Sequence, residues 1–128
     1  MTQNTDPVRH TLALADRDIK AFRRLASAMD IEDASVGFHA QQAMEKCLKA
    51  VLMHHGIEFR RTHDLAELLD LLTDNRLPLP PYSESLDELN PYAVEFRYGL
   101  VEPRKLDRAR AEKMLAAVRA WAETQIQT

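Results

Sequence analysis

Four polar side chains, His39, Gln42, Lys46 and Lys49, recur at spacings of three and four residues. On a helix that spacing places them on one strip. Two ammonium groups, an amide and an imidazole so arranged could line a groove for a phosphate or a nucleotide. The competing reading is a solvated strip in which Glu45 and Lys49 form an ion pair one turn apart. Farther along, His63-Asp64 sets an imidazole beside a carboxylate. Such a pair could polarise a histidine for proton transfer near neutral pH, yet Asp64 is also what a helix N-cap requires. Arg97 follows apolar Ala93 and Phe96, so it is expected at a packed margin, where a guanidinium needs an acceptor. Glu45, a carboxylate from a partner subunit, or a bound phosphate could each supply one.

Other residues with chemical potential read as structural. Cys47 falls among apolar neighbours and is expected to be a small core residue rather than a nucleophile. His54 and His55 are adjacent, so a helix points them apart and they make a poor chelating pair. No Cys/His spacing fits a zinc site, and with three glycines the chain has no glycine-rich phosphate loop. No metal or cofactor is called for. Arg60-Arg61 and the run Arg104, Lys105, Arg108, Arg110 are the basic clusters. The second opens a helix, where cations oppose the dipole. Interspersed Glu102 and Asp107 make a solvated face the default reading there.

These residues must be positioned by helices, because apolar residues recur at helical spacing and no alternating run appears. Asp6-Pro7 predicts a helix start, followed by the apolar line Leu12, Ala15, Ile19, Phe22, Ala26, Met29. Asp16, Lys20, Arg23 and Arg24 lie off that line and are expected to meet water. After a turn at Asp30-Ile31-Glu32-Asp33, a second helix runs from about Ala34 to His55 and stops at Gly56. Its apolar sector is wide, with Phe38 and Leu52 at the far border, which marks it as the central helix. Asp64 begins a third helix, with Glu67 as the capping-box partner and Leu65, Leu68, Leu69 and Leu72 inside. Leu77-Pro78-Leu79-Pro80-Pro81 must be a loop. A short helix over Tyr82 to Leu89 is expected next, then a start at Asn90-Pro91 of a segment ending near Arg97-Tyr98-Gly99. The last helix, after Pro103, carries Leu106, Ala111, Met114, Leu115, Val118, Trp121 and Ala122 inward. The fold class is all-α, an antiparallel up-and-down bundle of four to five helices.

The 128 residues fit one domain spanning 1–128, with 45% hydrophobic and 29% charged residues, an ordinary globular mixture. A formal charge of −3 argues against a general nucleic-acid coat. A lone cysteine, the lack of a signal-peptide core and the absence of any membrane-length apolar run predict a cytoplasmic protein off the membrane.

Three blocks carry a family resemblance. They are Phe38-His39-Ala40-Gln41-Gln42-Ala43-Met44-Glu45-Lys46-Cys47-Leu48-Lys49-Ala50, then Thr62-His63-Asp64-Leu65, and Glu95-Phe96-Arg97-Tyr98-Gly99. In order and spacing they resemble small prokaryotic HEPN domains (higher-eukaryote and prokaryote nucleotide-binding). The resemblance implies a bundle of four or five helices, usually a homodimer, often the partner of a minimal nucleotidyltransferase in a toxin–antitoxin pair. Nucleotide or RNA binding is expected at His39, Gln42, Lys46, Lys49, His63 and Arg97, an expectation that the resemblance strengthens for the strip on the second helix. Active toxins of the family are metal-independent ribonucleases with an Arg, four to six residues, then a His. Here Arg97 matches the Arg, but Glu102, Pro103 and Arg104 stand where the His belongs. Arginine stabilises phosphate charge and does not shuttle the proton. Three roles therefore remain open: an accessory nucleotidyltransferase partner, a divergent ribonuclease using His63, and a structural dimerisation module without ligand.

Overall fold

Asp6 and Pro7 open the first helix as their types require. In the computed structural model, which describes residues 6–93 and 105–128, helix α1 spans Pro7–Ala26 and the Asp6 carboxylate accepts from the Val8 amide. Leu12, Ala15, Ile19 and Phe22 are its buried face. Met29, expected on the same line, lies beyond the helix end and is 87% exposed. The helix stops at Ala26, so the spacing no longer carries that side chain inward.

Helix α2, Asp33–His54, is the element against which the others pack. Ala40, Ala43 and Ala50 let neighbours approach closely, while Val36, Met44, Leu48 and Val51 fill the space between. Leu52, expected to project past the inner face, is wholly covered within the single chain. Nothing about its exposure therefore calls for a second copy. Gly56, at φ +70°, ends the helix: its amide donates to the Met53 carbonyl, and the Ile57 amide donates to that of Leu52.

Helix α3, Leu65–Asp74, buries Leu65, Leu68, Leu69 and Leu72. Asp64 caps it by accepting from the Ala66 amide. Glu67 does not complete a capping box. Its carboxylate is taken by both sides of the Arg60 guanidinium, at 2.8 and 2.7 Å, and the Asp64 amide donates to the Thr62 hydroxyl instead. Asn90 also serves α3, accepting from the Leu65 amide and donating to Asp64. Between the Pro-rich loop and Asn90, only Leu86–Leu89 forms a short 3-10 turn, where a longer helix was expected. Residues 90–93 are helical, whereas Arg97-Tyr98-Gly99 fall outside the described residues.

Helix α4, Arg108–Ile126, is capped by Asp107 and buries Ala111, Met114, Leu115, Val118 and Ala122. Leu106 is buried just before it, and Trp121 packs on the core while remaining partly exposed. Among the described residues there is no strand. The protein is an all-α helical bundle.

Asp16, Arg23 and Arg108, which spacing alone places in water, enter two sets of charged contacts that link the helices. Arg108 donates to the carbonyls of Ala26, Ala28 and Ile31 and to the Asp33 carboxylate, while Asp33 also accepts from the Leu106 amide at 3.0 Å. One guanidinium thus satisfies carbonyls around the end of α1 and ties them to the start of α2. The expected solvated face is corrected at this residue.

The second set joins α1 to α4. Arg9, Asp16 and Arg23 are seven residues apart on α1 and meet Glu123, Arg119 and Glu112 on α4. The order of these pairs shows that the two helices run antiparallel. The Arg9 guanidinium, with help from Gln127 and Arg119, holds the Glu123 carboxyl down to about 2 from its ordinary value. A depressed carboxylate stabilises the fold above its ordinary pKa and loses that contribution as pH falls towards the folded-state value. Between about pH 5 and pH 2 the protein should lose stability progressively. Glu123→Gln should flatten that acid limb in urea titrations repeated across the range. An unchanged limb would show that the ladder adds nothing.

Candidate functional site

The polar strip of α2 divides between two carboxylates. On its α1 side, Asp18 stands 3.1 Å from Nδ1 of His39 and accepts from Nζ of Lys46. All three side chains are largely covered. On the other side lies Glu45, only 4% exposed. Its Oε2 accepts from Lys49 Nζ at 2.8 Å. Its Oε1 lies 2.9 Å from Nδ1 of His63, with Gln41 and Gln42 amides at 3.3 and 3.4 Å.

Helical repetition explains the cluster. Gln41, Glu45 and Lys49 are successive turns of one stripe of α2. Gln41 is fully buried, so its amide must be satisfied inside the protein. Its Nε2 donates at 2.8 Å to the backbone carbonyl of His63, and its Oε1 accepts from Gln42 at 2.7 Å. That contact pins the chain just before α3, where Thr62, Asp64 and Asn90 complete the turn. Lys49 also lies 5.6 Å from the Phe59 ring centroid, a cation–π distance.

A carboxylate only accepts hydrogen bonds, so Nδ1 of His63 carries the proton in this pair. In the neutral ring Nε2 then holds the lone pair, on a side chain that is 49% exposed. Orientation of an imidazole by a carboxylate is the arrangement that prepares a histidine to accept a hydrogen bond or a proton. Lys49 offsets the charge of Glu45 from the opposite oxygen, which is how a buried carboxylate remains tolerable.

The structure thus brings Gln42, Lys49 and His63 together at Glu45 and groups His39 with Lys46 at Asp18. Arg97 lies outside the described residues, as do Glu102, Pro103 and Arg104. The sequence reading missed Asp18 and Gln41, although a signal existed for each. Asp18 falls between Ala15 and Phe22 on the core stripe of α1, and Gln41 sits within the inner sector between Gly37 and Met44. A polar residue at a core position signals a buried contact.

Cys47 is buried, and loss of water around it pushes the thiol up to about 12, far from a reactive thiolate. The rings of His54 and His55 meet edge-on at 5.1 Å. Among the described residues, no group of three or more His, Cys, Asp or Glu is placed to hold a metal ion. No helix there is long and apolar enough to cross a membrane.

No curated protein and no solved structure gives a significant match. A model of the HEPN domain family matches residues 8–125, from the start of α1 almost to the end of α4. That span takes in both carboxylate clusters, and the chain belongs to the HEPN domain family.

Proposed function

We propose that this protein is an accessory HEPN partner of a minimal nucleotidyltransferase, in a toxin–antitoxin-type pair, and that it contributes binding rather than turnover. Family membership supports the general role. The observation that carries the reading is the Glu45 cluster, in which Lys49, Gln42 and Nδ1 of His63 all turn inward. Nε2 of His63 is then the group the cluster presents to a nucleotide or RNA. His39 and Lys46, spent on Asp18, shape the strip, and Arg97 is the phosphate contact on the ground of family resemblance. Homodimerisation rests on the same ground.

The same cluster favours one second reading, a divergent ribonuclease. A carboxylate-oriented His63 is a proton acceptor of the kind missing from the position after Arg97. Positioned acid–base groups are typically worth ~10²–10⁴ in rate, so their absence at that position leaves little turnover. The third possibility, a dimerisation module without ligand, predicts neither partner nor nucleotide.

Native purification followed by mass spectrometry of the co-purifying protein and nucleotide tests the first reading. A small nucleotidyltransferase in the complex is the expected result, with negligible cleavage of single-stranded RNA by the protein alone. Robust cleavage abolished by His63→Ala would transfer the role to the ribonuclease reading. Recovery of the bare homodimer without partner or nucleotide would leave only the third.

A further inference from the structure

Between two rungs of the α1–α4 ladder the helices leave a groove of about 660 Å³, floored by Ile19, Ala116 and Ala120. Its ends are closed by the Arg23–Glu112 and Arg119–Asp16 pairs, which use up the carboxylates on both helices there. Lys20 and Arg24 remain on the α1 wall, one helical turn apart and without a partner among the described residues. The α4 wall is Ala116 and Ala120, with Arg119 beside them turned onto Asp16. One side of the groove is therefore cationic and the other apolar, on a protein whose formal charge is −3.

We infer that this groove docks an acidic amphipathic helix of a partner protein. Two carboxylates one turn apart on such a helix meet Lys20 and Arg24, and its small apolar residues lie on Ala116 and Ala120. Helical repeats match on both partners, which is the geometry of helix-in-groove recognition. A nucleic-acid strand fits less well. It would leave the alanine wall unused, and no aromatic side chain lines the groove to stack a base. A second copy presenting this same face would oppose cation to cation.

The probe is a fluorescent helical peptide of about 18 residues, with glutamates one turn apart on one edge and alanine and leucine on the other. Saturable binding to the whole protein is expected, with amide shifts at Ala116 and Ala120. The Lys20→Glu/Arg24→Glu double variant should weaken binding about tenfold, because exposed charges set specificity across an interface. Ala116→Gln, which fills the floor without changing charge, should weaken it similarly. Both alter exposed positions with no partner among the described residues, and circular dichroism would verify the helix content. Failure to bind, equal binding of the peptide with lysines in place of glutamates, displacement by oligouridylate, or an unaffected double variant would each overturn the inference.

Discussion

Glu45→Ala should destabilise the fold by about 3–5 kcal/mol, the range found when one member of a buried charged cluster is removed. The cause is what remains behind. Lys49, with only 17% of its side chain exposed, loses its carboxylate partner, and the Gln41 and Gln42 amides lose an acceptor. His63→Ala should cost much less, because half of that side chain already meets water. Glu45→Gln should fall between, since the amide oxygen retains one acceptor but loses the charge. Replacing both partners, as in Glu45→Leu/Lys49→Met, should recover much of the loss, because a buried ion pair rarely outperforms well-packed apolar side chains. Urea denaturation of the four variants checks this order. A Glu45→Ala protein as stable as the parent would mean that the cluster does not anchor α3 to α2.

Gly37→Ala should also destabilise the fold, by less and from a different source. A methyl group built at Gly37 would stand 2.3 Å from Cδ1 and 2.5 Å from Cγ of Tyr92. Both residues are buried, and Cγ is the stem of the ring rather than a flexible end, so the clash cannot be relieved by a small rotation. Overpacking of this kind costs about 1–3 kcal/mol, occasionally more. It must also outweigh the roughly 1 kcal/mol by which alanine favours a helix over glycine. At the upper end of that range, where so short a contact to a buried ring belongs, the net expectation is a loss of up to about 2 kcal/mol. In a Tyr92→Ala background the clash disappears and only helix propensity remains, so the same substitution should become stabilising. Thermal melts of the two single variants and the double variant decide the matter. A Gly37→Ala change of the same sign in both backgrounds would show that Tyr92 does not press on that backbone.

The helices and most of the core are legible in the residue pattern. Periodic apolar residues, an Asp-Pro start, a glycine stop and a proline-rich loop are local signals, and local backbone physics obeys them. The pattern also determined which residues share a strip of α2, because helical repetition needs only spacing. Tertiary structure alone decided which way those side chains turn. His39 and Lys46 face Asp18 because α1 happens to lay that carboxylate beside them. His63 faces Glu45 because a buried Gln41 amide needs the His63 carbonyl and draws α3 into place. Asp16, Arg23 and Arg108 read as solvated charges from spacing alone, and the packing of α4 against α1 and α2 gave each a partner. The reason is general. Hydrogen-bond satisfaction of a buried or bridging polar group is a property of two segments at once, and neither segment's spacing contains the other's position.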